Sequence, residues 1–393
     1  MGDPEMYEIL LKDVCELIAD CPHTTAVDEG KGYPLVRTPN IGRGRLIYEG
    51  MHRVCEEVYN ERNKRAVPQE NDLIFAREAT AGNVALIRKD EKVCLGQRTV
   101  LIRPNQTLVD PSYLTYLLLA PEQQYNLLST ANGATVAHVN LPAIRNLKIS
   151  LPSLSKQNKV ASFLNCYYAI IENNQKQIKL LEEAARRLYK EWFVNLHFPG
   201  YESTTIIDGV PNGWTRRRLI DIVDVQYGYA FDGKLFNSNR NGTPIVRIRN
   251  IPEGFTRDYT TEIAPNNYIV KNGDILVGMD GIFHINTWSG EKAFLVQRAC
   301  SIRPKINKQK GFVFQAIYDP IKYFERTLVG ATVAHLGKKH IDSIELLTPS
   351  DTSLYVPFER FFNDRQNLLT QIRLLTEARD RLLPKLMSGE IEV

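Results

Sequence analysis

Gly133-Ala134-Thr135-Val136-Ala137-His138 recurs letter for letter as Gly330-Ala331-Thr332-Val333-Ala334-His335. The likeness extends outward. Leu95-x-Gln97-Arg98 followed by Ile102-Arg103-Pro104 returns as Leu295-x-Gln297-Arg298 followed by Ile302-Arg303-Pro304, and Pro34-x-Val36-Arg37 returns as Pro244-x-Val246-Arg247. A period of about 200 residues is far too long for a solenoid or propeller unit, so each copy is expected to fold around its own core.

The 393 residues are 43% hydrophobic and 24% charged, an ordinary globular balance with room for two domains. No apolar run reaches the roughly 18 residues that span a bilayer. The N-terminus lacks a basic stretch followed by an apolar core. No membrane is expected as a partner, and the expected location is cytoplasmic. Cys15, Cys21, Cys55, Cys94, Cys166 and Cys300 form no CxxC pair, and none falls on its repeat mate, so they read as reduced thiols. Cys15, Cys21 and His23 would give zinc only three ligands at unusual spacing; ordinary packing is the better reading and no metal is expected. The net charge of +4 and isoelectric point of about 8.6 are only mildly basic. Any nucleic-acid surface must be a local patch, as at Arg62-x-Lys64-Arg65, Arg216-Arg217-Arg218, Arg247-x-Arg249 and Lys338-Lys339, although such runs taken alone are solvated faces.

Each copy reads in two parts. The first is rich in short β-type runs, Asp72 to Phe75, Val84 to Ile87 and Val93 to Ile102, with Asp274 to Val277 and Ala293 to Ile302 as mates. One helix is expected within each, from Pro111 to Leu128 and from Gly311 to Glu325. The second part is a long helix. From Ser155 to about Val194 the chain has no Gly or Pro, and Ile171, Ile178, Leu181, Leu188 and Trp192 form a heptad-like stripe. Leu368, Ile372, Leu375, Leu382 and Leu386 repeat it, the last four at a constant offset of 194, with Pro384 expected to end or kink this helix. An apolar seam must be buried, and its match in length and pattern is the other copy's helix. The fold expected is therefore α+β: two similar, mixed, β-rich domains at residues 1–152 and 197–349, alternating with long helices at 153–196 and 350–393 that pair as an antiparallel coiled coil, in a pseudo-twofold arrangement. A short linker, His197 to Trp214, opens the second copy.

Catalytic signatures are missing. Gly228 to Lys234 has P-loop spacing, but Leu235 stands where Ser or Thr must hold magnesium. No GxGxxG, HExxH, GxSxG or Asn-Pro-Pro-aromatic motif is present. Asp72 and Glu78 have mates at Asp274 and Asp280, but no Lys follows at nuclease spacing, and Asp72 and Asp274 read as turn closers. His138 and His335 show no carboxylate or nucleophile partner in their repeat context, so a structural hydrogen bond in a turn is expected of each.

A duplicated, pseudo-twofold chain matches the two half-sites of duplex DNA. What the copies share should be scaffold, and what differs should carry each copy's preference. Candidate readers are the basic and amide residues Arg43, Arg45, Lys64 and Arg65 in the first copy, and Lys234, Asn237, Asn239, Arg240, Arg249 and Arg257 in the second; Arg37 and Arg247 join them as DNA-binding candidates.

The stretches GATVAHVNLPAIRNLKISLPSLSKQNKVASFL, LLEEAARRLYKEWF, the PNGW at Pro211 to Trp214, GATVAHLGKKHIDSIELLTP and LLTEARDRLLPKLMSGEI together resemble the specificity subunit of type I restriction-modification systems, over nearly the whole chain. The resemblance implies two target-recognition domains, helical spacers that set the distance between halves of a split DNA target, and no catalytic role. It also implies double-stranded DNA, two modification (methyltransferase) subunits and two restriction subunits as partners, with S-adenosylmethionine, ATP and Mg on those partners and no cofactor in this chain. A protein-only helical adaptor and a self-contained DNA-modifying enzyme remain the alternatives. One departure is plain: residues 350–358 lack the Pro-x-x-x-Gln form of Pro152 to Gln157.

Overall fold

The computed structural model describes residues 6–129, 138–328 and 334–393. Residues 133–137 and 330–333 of the duplicated hexapeptide lie outside the described residues. The chain forms two units, Met1–Ala169 with Glu377–Val393, and Ile170–Thr376.

In the first unit, Leu73–Ala76 is buried at every position because it is a central strand. Thr99–Pro104 lies antiparallel on one side and Val84–Leu86 on the other, and Cys15–Asp20 completes a four-stranded sheet. A second sheet pairs Tyr33–Val36 antiparallel with His52–Val54 and parallel with Cys94–Leu95. The second unit repeats the plan. Val223–Tyr227, Ala299–Pro304, Ile275–Gly278 and Ile285–Thr287 make its four-stranded sheet, and Thr243–Val246 again pairs parallel with Ala293–Leu295. Gly32 and Gly242 are mates with positive φ, 98° and 89°. Their missing side chains admit the carbonyls of Val54 and Thr260, so a Cβ is excluded twice at the start of the parallel strand.

Three expectations need correction. The runs 93–102 and 293–302 are not single strands: each is cut by a turn at Gln97-Arg98 or Gln297-Arg298. The helix expected from Pro111 to Leu128 is two, Pro111–Leu119 and Pro121–Ser129. Pro121 forces Ala120 into extended backbone (ψ 146°), which ends the first. In the second copy Lys310–Ala316 is followed by Tyr318–Thr327, because Pro320 has no N–H to give the Ala316 carbonyl. The 197–214 linker is also ordered, with a small hairpin of Ile206–Ile207 and Val210–Pro211.

The first long helix spans Leu154–Tyr189 and continues as a π-turn, Lys190–Val194. The other spans Val356–Met387 and runs through Pro384, which neither ends it nor stops the last turn forming. Within the second unit, Asn174 donates to Gln371 (3.0 Å) and Arg365 to Glu182 (2.6 Å). One number rises as its partner falls, so the helices pair antiparallel. Within the first unit, Leu382, Leu383, Leu386 and Met387 join Val160, Leu164 and Tyr168 in one core, and the Arg379 guanidinium lies 4.8 Å from the Tyr168 ring. Of the seam residues, Ile171, Ile372 and Leu386 are buried, while Ile178, Leu181, Leu188, Trp192, Leu368, Leu375 and Leu382 are half-buried. Ala185, Leu369 and Leu383, absent from the stripe, are buried as well.

The missing Pro-x-x-x-Gln has a substitute. Buried Gln157 accepts from the Asp110 amide (2.9 Å) and donates to the Pro152 carbonyl (2.9 Å), tying the long helix to the start of the 111–119 helix. Glu359 accepts from the Gly311 amide (2.7 Å) at the equivalent place. Burial raises its carboxyl pKa, which the Gly311 amide and Lys310 offset only in part.

One ion pair is duplicated within the sheets. Asp72 closes its turn by accepting from the Gln69 amide (2.9 Å) and holds Arg103 through both oxygens at 2.8 Å. Asp274 accepts likewise from the Lys271 amide (2.8 Å) and holds Arg303 through Oδ2 alone, from Nε (3.0 Å) and Nη2 (2.6 Å). Asp72 is 1% exposed, so Asp72→Ala strands a half-buried guanidinium and opens a turn. A loss of about 3 kcal/mol is expected, read as a lower urea midpoint with unchanged slope.

Candidate nucleic-acid interface

An acid, an arginine and a histidine converge in each copy. In the first, the Glu78 carboxylate bridges His138 (Nδ1 to Oε1, 2.7 Å) and Arg98 (Nη1 to Oε2, 2.9 Å). In the second, Asp280 bridges His335 (Nδ1 to Oδ1, 2.5 Å) and Arg298 (Nη1 to Oδ2, 3.2 Å). This overturns the expectation that neither histidine has a carboxylate partner. The acid lies about 60 residues upstream and is delivered by strand pairing: the Arg77 amide donates to the Arg98 carbonyl and the Val139 amide to the Arg77 carbonyl, with Met279, Arg298 and Leu336 repeating both bonds. In the first copy Arg77 adds a bond to His138 Nε2 (2.9 Å) and pairs with Asp20 (2.8 Å). Because arginine only donates, Nε2 serves as the acceptor in this contact and Nδ1 faces Glu78.

Beside each bridge lies a cleft. The first, about 270 Å³, is lined by Arg37, Arg62, Gln97 and Arg98 with Thr24, Thr25 and Thr38. The second, about 670 Å³, is lined by Arg247, Arg249, Gln297 and Arg298 with Phe231, Phe236, Asp280 and His284. Arg37 donates to the Gly50 carbonyl (3.0 Å), but its buried Nε has no partner. Arg62 is buried and bonds the carbonyls of Leu95 (2.6 Å) and Thr24 (3.1 Å). Arg247 stands over the Phe236 ring at 5.3 Å. Arg249 grips Asp258 with two bonds, 3.1 and 2.7 Å. Burial works to raise the Asp258 carboxyl, but hydrogen bonds from Arg249 and Asn250 outweigh it and the pKa falls. Burial, then Lys322, lowers the pKa of His284, which keeps it neutral near pH 7.

Of the DNA-binding candidates, Arg37 lines the first cleft and Arg247 and Arg249 the second. The others lie elsewhere. Arg43 donates to the Leu119 carbonyl (3.0 Å) and Arg65 to the Asp20 carbonyl (3.1 Å). Asn237 closes the 237–241 loop through both polar atoms on Asn241 (2.8 and 3.0 Å), and Arg257 lies 5.6 Å from the Phe255 ring. Arg45 is half-buried, whereas Lys64, Lys234, Asn239 and Arg240 are exposed. Sequence reading missed Gln97, Arg98, Gln297 and Arg298 as surface residues because their recurrence marked them as framework. Among the described residues no cluster of three acidic, sulfur or imidazole side chains could hold a metal ion. Burial pushes the thiols of Cys15 and Cys300 up to about 12, and no helix of the described residues is long and apolar enough to cross a membrane.

Two like α+β domains, each with an arginine-lined cleft, and an antiparallel pair of long helices define an internally duplicated binding protein. The family model described as the type I restriction modification DNA specificity domain matches residues 4–183 and 211–353, and the chain belongs to that family. It is 25% identical to the type I restriction enzyme MjaIX specificity subunit of Methanocaldococcus jannaschii, over 98% of this chain and 93% of that protein. It is 28% identical to the EcoBI specificity subunit of Escherichia coli, over 45% of this chain and 37% of that one. The crystal structure of a type I restriction-modification S subunit from M. genitalium covers 97% of this chain and 96% of its own, with a TM-score of 0.53 at 15% identity, a likeness of fold.

Proposed function

We propose that this chain is the non-catalytic, sequence-reading subunit of a type I restriction-modification complex. Each domain reads one half of a bipartite DNA target, and the paired helices set the gap between halves and dock two modification subunits, to which two restriction subunits add. S-adenosylmethionine, ATP and Mg belong to those partners. The observation that carries the reading is the pair of clefts: the same Arg-Gln-Arg frame recurs in both, while one has threonine walls and the other Phe231, Phe236 and His284. A common frame with unlike walls suits two domains that hold one kind of ligand and read different sequences. Exchanging residues 1–151 for the same segment of another family member should change one half of the methylated sequence and leave the other, as methylome sequencing would report. An unaltered methylated sequence rejects the reading. Affinity for the specific duplex should also fall steeply between 50 and 200 mM salt, by roughly a thousandfold or more if six or more phosphates are contacted.

A further inference from the structure

Resting on the reading above, we infer that the shared frame of each cleft, Arg37–Gln97–Arg98 and Arg247–Gln297–Arg298, is a seat for a backbone phosphate of the DNA and reads no base. Arg98 and Arg298 are the key members. Both hold a left-handed backbone, φ 63° and 70°, a conformation uncommon for a long side chain and costing about 1 kcal/mol or more. Both side chains are more than half exposed, 61% and 58%, although a carboxylate grips one nitrogen of each. That carboxylate, fixed in turn by the histidine, orients the fork and leaves its other donors facing outward.

The cleft of the first domain is lined by three arginines and no acid, an excess of positive charge that suits an anion. Guanidinium matches a phosphodiester through two parallel bonds. Recurrence argues against base reading: domains that read different half-sites have no reason to keep the same reader, whereas every half-site offers the same phosphates.

The test uses the full chain in complex with its modification subunits, with Arg98→Gly, Arg298→Gly and both together. Glycine suits the left-handed backbone, so these variants should fold; Arg98→Asn, also tolerant of that backbone, is read the same way if the glycine variant fails. Each single variant should bind the specific duplex and a scrambled duplex of equal length more weakly by the same factor, roughly three- to tenfold near 0.1 M salt. The log–log salt slope should shrink by about 0.9 per site, and by about twice that in the double variant. Unchanged affinity overturns the inference. So does a loss confined to the specific duplex, or an altered base in the methylated sequence, either of which would make the arginine a reader. Preference of the unsubstituted complex for the specific duplex is scored separately, and its absence would defeat the half-site reading instead.

Discussion

Arg365→Ala is expected to cost the second unit about 3–5 kcal/mol, the largest loss of any single side chain considered. Arg365 is 6% exposed, yet it carries a charge across the helix pair and into the neighbouring sheet. Its Nε donates to Glu182 of the other long helix (2.6 Å), one terminal nitrogen to Thr287 Oγ1 (2.7 Å) and the other to Asn286 Oδ1 (2.6 Å). The guanidinium also lies 4.8 Å from the Phe314 ring. Truncation removes all of this at once and leaves a cavity, a carboxylate and two acceptors. Glu182 is a third exposed, so water screens it, and Glu182→Gln should cost only about 1 kcal/mol. The unequal pair is the test. In thermal unfolding Arg365→Ala should lower the midpoint by roughly 6–20 °C and Glu182→Gln by a few degrees; equal losses would mean that only the ion pair matters and not the bonds to Thr287 and Asn286.

Among the described residues the first copy shows no equivalent of this hub, and there the mate of the 285–287 strand is the apolar Val84–Leu86. That difference marks the limit of reading a duplicated sequence against itself. The duplication, the long helices and their antiparallel pairing were legible, because each rests on recurrence or on an apolar period that survives divergence. Proline positions would also have revealed the breaks at Ala120 and Ile317, had they been weighed above the helical spacing. The carboxylate–histidine bridges were not legible, since Glu78 and His138 meet only through the strand pairing that places Arg77 beside both Arg98 and Val139.

Nor could comparison of copies show that a shared residue faces outward. Sorting by difference assigned Gln97-Arg98 to framework, and the left-handed turn that exposes them has no sequence signature in an arginine. The helical register was read only in part. Glu183-Ala184 and Glu377-Ala378 differ by 194, but Gln157 and Glu359, which do the same job at the helix starts, differ by 202. The second long helix is therefore shorter by about two turns on the side of its own domain.

Removal of residues 171–177 together with 368–374 tests the proposed ruler. The two segments face each other through the Asn174–Gln371 bond (3.0 Å), so both partners of a part-buried polar contact leave together. Seven residues are two turns of a coiled coil, which returns the seam to the same face. Each helix then shortens by about 10.5 Å, the length of about three base-pair steps at 3.4 Å each. Rotation of the duplex, about 34° per pair at 10.5 pairs per turn, opposes the full shift, because each step removed also turns one half-site about the axis. The expected result is a methylated sequence with both half-sites unchanged and the gap between them shorter by about two or three pairs. Binding to a duplex with the original gap should fall toward the non-specific level, roughly a thousandfold or more. Removing the heptad from one helix alone keeps its seam on the same face but slips it by one repeat against the other helix and leaves one of Asn174 and Gln371 without its partner, so it should destabilise the chain without producing a new, shorter gap. An unchanged gap after the paired deletion would mean that the distance between half-sites is set outside these helices.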